Sequence, residues 1–190
     1  MNLLLASKSP RRRQLLSELG FPIEFVDLNV DEHIDNTLPA SEIAQFLAHR
    51  KAMAYPAEKI KDNEVLVTAD TIVVHNGQML GKPADRDAAF ATLRSLSGDR
   101  HTVYTGVCLR SNQQEYAFTE ATDVYFNSIS DDEIAYYVDN YRPYDKAGAY
   151  GIQEWIGMVA VERIEGCYYN VMGLPVAQLY KTLRNRFLSK

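Results

Sequence analysis

Short apolar runs alternate with amphipathic stretches along the 190 residues of this chain, which is the pattern of an α/β protein. The apolar run at residues 3–6 predicts a short buried strand. Ser9 is a favourable helix N-cap, Pro10 suits the first helical position, and Gly20 suits the stop. We therefore expect a helix directly after the first strand.

The apolar run at residues 65–74 is the strongest strand signal in the chain. Asn76-Gly77 follows it, and this residue pair is favoured in two-residue hairpin turns. A helix is predicted from Ser41, as its cap, to about Tyr55. Its apolar side contains Ile43, Phe46, Leu47 and Met53.

The rest of the chain continues the same alternation. The further predicted elements are a strand at 23–30, a polar loop at 31–38, a helix from Asp85 to a stop at Gly98, a hairpin of 101–109 with 115–126, a helix from the capping box at Ser130 to about Asn140, a strand at 155–163 and a last helix starting near Pro175. We find no repeat, low-complexity segment or linker, so one domain over residues 1–190 is expected.

Composition limits the classes of function. The chain is 46% hydrophobic and carries a net charge of -5, with 20 Lys and Arg against 25 Asp and Glu. This balance argues against a nucleic-acid-coating protein, which usually has a broad basic face. No apolar run approaches the ~20 residues of a membrane span. The 2 cysteines form no disulfide or metal framework, so a cytoplasmic location is expected.

Three consecutive arginines, residues 11–13, lie in the first turn of the first predicted helix. There they face the positive end of the helix dipole, which disfavours each by roughly 0.3–1 kcal/mol. Backbone N–H groups at a helix start bind anions, and Ser7 and Ser9 add two hydroxyl donors. The segment therefore predicts a phosphate site that uses Arg11 and Arg12. A solvated basic turn or a nuclear-import patch remains the alternative.

Asp70 interrupts the strongest strand, where an ionised carboxylate is costly unless it is paired or lies at a cleft. If His75 pairs with Gln78 across the turn, Thr71 falls opposite Lys82, which brings a lysine close to Asp70. A carboxylate beside a cation is a candidate general base or metal ligand. The alternative is a structural ion pair at a strand end.

Three further residues are weaker candidates. Glu32 follows a predicted strand and could add a carboxylate to the site, although acidic loop residues are usually solvated. Lys51 could bind phosphate or simply complement the carboxyl end of its helix. Gln153 carries a donor and an acceptor, as needed to read a nucleobase edge, but its Gly-rich segment could also be a tight connection.

Several segments together resemble the Maf family of nucleoside triphosphate pyrophosphatases, in family order and over essentially the whole chain. The matching segments are Leu5-Ala6-Ser7-Lys8-Ser9-Pro10-Arg11-Arg12, Ala69-Asp70-Thr71-Ile72-Val73, Gly81-Lys82-Pro83, Leu96-Ser97-Gly98, Thr105-Gly106, residues 145–153 and Asn170-Val171-Met172-Gly173-Leu174-Pro175. The resemblance implies an elongated mixed sheet flanked by helices, with two lobes around a central cleft, and a homodimer. It also implies hydrolysis of a nucleoside triphosphate to the monophosphate and pyrophosphate, dependent on Mg²⁺ or Mn²⁺.

The resemblance also implies residue roles. Asp70 would be the catalytic base, with Glu32 assisting at the metal or the water. The phosphates would be bound by Ser7, Ser9, Arg11, Arg12, Lys51 and Lys82. Residues 145–153 resemble the subgroup that acts on dTTP and UTP, in which Arg11, Thr71 and Gln153 are associated with base selection.

Two other functions remain open. One is a nucleotide- or nucleic-acid-binding regulator of cell division, which a broad basic surface would favour. The other is a pyrophosphatase of noncanonical purine triphosphates, which has a related cleft architecture.

Overall fold

The computed structural model describes residues 1–28, 30 and 38–188, and it confirms the α/β class. Strands and helices alternate along most of the chain. The strands are β1 (Asn2–Leu5), β2 (Ile23–Phe25), β3 (Glu64–His75), β4 (Gln78–Leu80), β5 (Arg100–Arg110), β6 (Glu115–Phe126) and β7 (Val161–Glu165). The α-helices are α1 (Pro10–Ser17), α2 (Ala40–Ala54), α3 (Arg86–Leu96), α4 (Asp131–Tyr141), α5 (Trp155–Val159), α6 (Tyr168–Met172) and α7 (Val176–Thr182), and a π-helix (Leu183–Leu188) follows α7.

The strands form one mixed sheet in the order β2-β1-β3-β5-β6-β7, with β4 also paired to β3. β1 lies between β2 and β3 and is parallel to both, with Leu5 opposite Phe25 and Val67. β4 is antiparallel to β3, and β7 is antiparallel to β6. Short helix-linked parallel strands and hairpins therefore share a single mixed sheet, as the family resemblance implies.

The chain divides into two compact units. The first contains Met1–Asp70, Thr105–Glu120 and Gly173–Lys190, and the second contains Thr71–Tyr104 and Ala121–Met172. One buried cluster in the first unit consists of Leu4, Ala6, Ala48, Ala52, Ile60, Leu66 and Cys108. The second unit has a larger core, in which Leu93, Leu96, Phe126, Tyr137 and Ile156 are buried.

Cys108 belongs to the buried cluster of the first unit. Burial there raises the pKa of its thiol to about 12, so this cysteine is a packing residue.

The predictions of the hairpin at Asn76-Gly77 and of the helix starts at Ser9, Asp85 and Ser130 are confirmed. Asn76 and Gly77 have φ of 49° and 75°, as a type I′ turn requires, and His75 pairs with Gln78. Ser9 and Asp85 cap α1 and α3, and Ser130 forms the predicted capping box of α4. Local side-chain chemistry thus determines these element ends.

The prediction for α2 is wrong at its start and for two of the four residues on its apolar side, whereas Ile43 and Leu47 are buried as predicted. The helix begins at Ala40 with Pro39 as its cap residue, and Phe46 and Met53 are each 39% exposed. Ala44, Ala48 and Ala52 are fully buried instead. A helix that approaches a sheet closely must present small residues, and large apolar side chains then lie at the margins of the contact.

Two strand predictions are also wrong. β2 ends at Phe25 rather than residue 30, because β1 ends at Leu5 and offers no further ladder positions. Residues 155–159 form α5, and the strand β7 begins only at Val161. Short apolar runs do not distinguish a strand from a buried helical turn. The loop predicted at 31–38 lies almost wholly outside the described residues.

Candidate active site

Asp70 lies within β3 and forms an ion pair with Lys51, whose Nζ contacts Asp70 Oδ1. Both side chains are mostly buried, with 14% of Lys51 and 15% of Asp70 exposed. Removing either partner would leave an uncompensated charge away from bulk water, which is strongly unfavourable. Lys51 of α2 thus contacts Asp70, whereas the sequence predicted it as a phosphate ligand or as a complement to the carboxyl end of its helix.

The packing of α2 on the sheet places Lys51 beside Asp70. Thr68 Oγ1 donates a hydrogen bond to the Ala48 carbonyl at 2.7 Å, which joins β3 to α2 one helical turn before Lys51. Gly106 of β5 lets the helix approach, since a Cβ there would lie 2.2 Å from the Ala44 carbonyl carbon. Small residues on both elements thus determine the position of the ion pair.

Arg12 binds the residue next to Asp70. Its Nη1 donates to the Ala69 carbonyl and its Nε to the Gly173 carbonyl, both at 2.8 Å. The backbone N–H of Arg12 also donates to Ser9 Oγ at 3.4 Å, so the side chain extends from a capped helix start. Guanidinium groups suit such forked contacts, and this one fixes the β3 backbone at Asp70.

The segment before α1 is ordered by its own side chains. The Ser9 N–H donates to Ser7 Oγ at 3.2 Å, and Arg13 Nε donates to the Ser7 carbonyl at 2.9 Å. Arg13 also covers the ring of Phe25 at 4.8 Å. Arg11 is half-buried in the same helical turn. Ser7, Ser9 and Arg12 are thus brought together at the start of α1, in the same compact unit as Lys51 and Asp70.

Lys82 lies beyond the end of the hairpin. The predicted pairing register is correct as far as Val73 opposite Leu80, where β4 ends. The Gly81 carbonyl accepts a hydrogen bond from the Gly148 N–H at 3.3 Å rather than continuing the ladder, and Pro83 has no N–H to offer. The predicted Thr71–Lys82 opposition is therefore not part of the ladder, and Lys82 is an exposed side chain of the second unit.

Gln153 also belongs to the second unit, where it is exposed on a turn between buried Ile152 and the partly buried Glu154. Tyr137 O–H donates to the Glu154 carboxylate and accepts from the Gly151 N–H at 3.1 Å. Lys146 Nζ lies 3.1 Å from the other Glu154 oxygen. Sequence reasoning missed this network, because helix α4 and the turn are distant in the chain and no short motif joins them.

The predicted metal ligands are only partly described. Glu32 lies outside the described residues. Within residues 1–28, 30 and 38–188, no group of three or more His, Cys, Asp or Glu side chains could hold a metal ion. Of the two predicted metal ligands, Asp70 and Glu32, the structure therefore describes Asp70. No helix in that part of the chain is long and apolar enough to cross a membrane.

A mixed sheet with flanking helices and a paired carboxylate in a central strand defines an α/β protein with a charged site. The sequence matches the family described as Maf-like protein over residues 2–186, and the chain belongs to that family. A relative in Bacteroides fragilis, named dTTP/UTP pyrophosphatase, is 52% identical over 183 residues, or 96% of this chain and 94% of the relative. A relative of the same name in Bacteroides thetaiotaomicron is 49% identical over 96% of this chain and 94% of its own. Another in Flavobacterium johnsoniae is 48% identical over 95% of this chain and 93% of its own. Among solved structures, the Staphylococcus aureus Ham1 protein aligns with 66% of this chain and 72% of its own at a TM-score of 0.46 and 12% identity.

Proposed function

We propose that this protein is a nucleoside triphosphate pyrophosphatase that hydrolyses dTTP and UTP to the monophosphate and pyrophosphate. Relatives about 50% identical over nearly their whole length bear that name. The structural observation that carries the proposal is the mostly buried Lys51–Asp70 pair, with Arg12 bound to the carbonyl immediately before Asp70. A carboxylate that contacts an ammonium group is suited to activating water beside a polyanion.

The cationic and hydroxyl groups would bind the triphosphate. Ser7, Ser9, Arg11 and Arg12 lie at the start of α1, where the positive end of the helix dipole favours an anion. Lys51 and Lys82 would add two ammonium groups, and their positive charge would offset the charge that develops on the phosphate oxygens. Thr71 and Gln153 would select the base, Gln153 through its paired amide donor and acceptor.

Asp70 would also be a ligand of Mg²⁺ or Mn²⁺, together with Glu32. Magnesium in nucleotide enzymes is usually held by one or two carboxylates plus substrate phosphates and water, so Asp70 and Glu32 would be enough for this ion. When bound, the ion would neutralise charge on the phosphate oxygens.

The proposed reaction is an in-line displacement at the α-phosphorus. Asp70 orients a water molecule and accepts its proton while the water oxygen bonds to the α-phosphorus. The bond from this phosphorus to the α,β-bridging oxygen breaks, and the electron pair leaves with pyrophosphate. Positioning and charge stabilisation supply most of the rate enhancement in such reactions.

Replacing Asp70 tests the proposal. Asp70→Asn should lower kcat for dTTP and UTP by about 10²–10⁴-fold, because the amide cannot accept the proton. Nucleotide binding, measured by calorimetry with a non-hydrolysable dTTP analogue, should be retained. Asp139→Asn is a matched control, since it removes another ion-paired carboxylate, one exposed and bound to Arg86. Turnover by Asp70→Asn within a few fold of wild type would remove Asp70 from the mechanism.

We also propose a cytoplasmic homodimer. The free thiols of Cys108 and Cys167 are in keeping with a reducing compartment. Sedimentation at micromolar concentration tests the dimer, and a monomer at that concentration would contradict it.

A further inference from the structure

A single buried hydroxyl binds both ends of the turn that carries Gln153. The ring of Tyr137 in α4 is fully buried in the core of the second unit. Its O–H accepts from the Gly151 N–H at 3.1 Å and donates to Glu154 Oε2. Burial, and then the hydrogen bond to the Glu154 carboxylate, raise the pKa of Tyr137, so the hydroxyl stays a donor near neutral pH.

The carboxylate of Glu154 is itself fixed from its other side. Lys146 Nζ lies 3.1 Å from Glu154 Oε1 and 2.8 Å from Asp145 Oδ1, and Lys146 is only 8% exposed. The side chains of Lys146 and Glu154 are 9% and 20% exposed, so their attraction loses little energy to solvent screening and holds their geometry. The turn is thus bound to α4 through one hydroxyl and to the preceding loop through one ammonium.

This arrangement restricts Gln153, which lies between the two bound residues. The Glu154 N–H donates to the Gly151 carbonyl at 2.9 Å and closes the turn. The Gln153 amide packs directly on Gly151, since a Cβ at position 151 would lie 2.7 Å from Gln153 Nε2. The side chain is exposed, yet its backbone and its amide are both confined.

We propose that Tyr137 is a positioning residue for base selection, because it holds the turn that orients the Gln153 amide toward the pyrimidine. The proposal rests on the proposed function, in which Gln153 selects the base. A preorganised amide loses less freedom when it binds, so loss of the hydroxyl should weaken recognition of the base and leave the phosphate chemistry unaltered.

The first test is Tyr137→Phe, with Tyr136→Phe as the matched control. Tyr136 is the neighbouring residue, is half exposed, and packs its ring against Trp155. For Tyr137→Phe we expect KM for dTTP and UTP to rise about tenfold, with kcat within twofold of wild type. The inhibition constant of inorganic tripolyphosphate, which has no base, should not change. The control should match wild type throughout.

A second variant keeps the test decisive if Tyr137→Phe folds poorly. Gly151→Ala keeps the Tyr137 hydroxyl, and its new Cβ, 2.7 Å from Gln153 Nε2 and 2.9 Å from Glu154 Cδ, displaces the ends of both side chains. It should produce the same rise in KM. Unchanged KM in both folded variants, or an equal loss of tripolyphosphate binding, would overturn the positioning role.

The outcome separates this inference from the proposed function. If wild type hydrolyses neither dTTP nor UTP, the proposed function has failed, whatever Tyr137 does. The side-chain amide resonances of Gln153 in a ¹⁵N-labelled sample then decide the positioning role without any substrate. They should shift and broaden in Tyr137→Phe and stay unchanged in Tyr136→Phe, and unchanged resonances in both would contradict the inference.

Discussion

Gly106→Ala probes the packing that places Lys51 beside Asp70. A Cβ at position 106 would lie 2.2 Å from both the carbon and the oxygen of the Ala44 carbonyl, and 2.3 Å from Gln45 N. Ordinary van der Waals contact begins at 3.4 Å, so α2 and β5 must separate by 3.4 − 2.2 = 1.2 Å along this contact. Both neighbours are backbone, so no side-chain rotation relieves the overlap.

The expected cost of Gly106→Ala is about 3 kcal/mol, the upper end of ordinary overpacking, because two backbone segments must move. That is a large fraction of the roughly 5–15 kcal/mol that stabilises a native protein. The separation also moves α2 with Lys51, and a displacement of about 1 Å at a catalytic group can lower turnover by about 10²-fold.

Urea denaturation and steady-state turnover measure the two effects. With a slope of about 3 kcal/mol per M, the midpoint of Gly106→Ala should fall by about 1 M. Gly81→Ala is the matched control for stability, because nothing lies within 4 Å of a Cβ at that position. A midpoint for Gly106→Ala within about 0.2 M of wild type would refute the packing argument, since the overlap would then be relieved at no cost.

Two further predictions concern Arg12 and His101. The lysine of Arg12→Lys cannot make both contacts to the Ala69 and Gly173 carbonyls, so the free energy of unfolding should fall by about 1–3 kcal/mol and turnover should decrease. A variant equal to wild type in urea denaturation and in kcat would contradict the role of Arg12. Burial lowers the pKa of His101 from 6.5 to about 4. Between pH 4 and pH 6.5, His101 is therefore protonated in the unfolded chain and neutral in the folded one. The contribution of neutral His101 to the free energy of unfolding is therefore fully present above pH 6.5. This contribution, about 3 kcal/mol, should be lost as the pH falls toward 4. Urea titrations at several pH values give the slope of the unfolding free energy against pH, which counts the protons taken up on unfolding. His101→Gln should lower this slope by up to one proton, and an unchanged slope would show that other groups cause it.

The hairpin around Asp70 could be predicted from the sequence because its determinants are local. The apolar run before the turn, the Asn76-Gly77 pair and the register of His75 with Gln78 all lie within a few residues. The helix caps at Ser9 and Ser130 are local for the same reason. Each side chain there satisfies backbone groups three residues away.

The partner of Asp70 could not be predicted in this way. The hairpin suggested Lys82, whereas the ion pair is with Lys51. This contact depends on how closely α2 approaches β5, which the small residues Ala44 and Gly106 decide across 62 positions of sequence. The apolar pattern instead predicts Phe46 on the packed side, because the spacing of apolar residues does not depend on their size.

The turn that carries Gln153 illustrates the same limit. Residues 145–153 are a predicted candidate segment, but Tyr137 of α4 and Glu154 help to fix it, and Glu154 is the cap residue of α5, which the pattern predicted as a strand. Tyr137 reads in the sequence as one apolar position of an amphipathic helix. Its polar role follows only from the tertiary arrangement, since a buried phenol must find a partner wherever the fold offers one.

The most direct test of the central claim is hydrolysis of dTTP or UTP in H₂¹⁸O, followed by mass spectrometry of the products. Attack by water on the α-phosphorus, directed by Asp70, places the heavy oxygen in the monophosphate and leaves the pyrophosphate unlabelled. We predict that result for wild type, and formation of labelled monophosphate about 10²–10⁴-fold more slowly by Asp70→Asn. Label in the pyrophosphate, release of orthophosphate, or labelled monophosphate from Asp70→Asn at the wild-type rate would contradict the account.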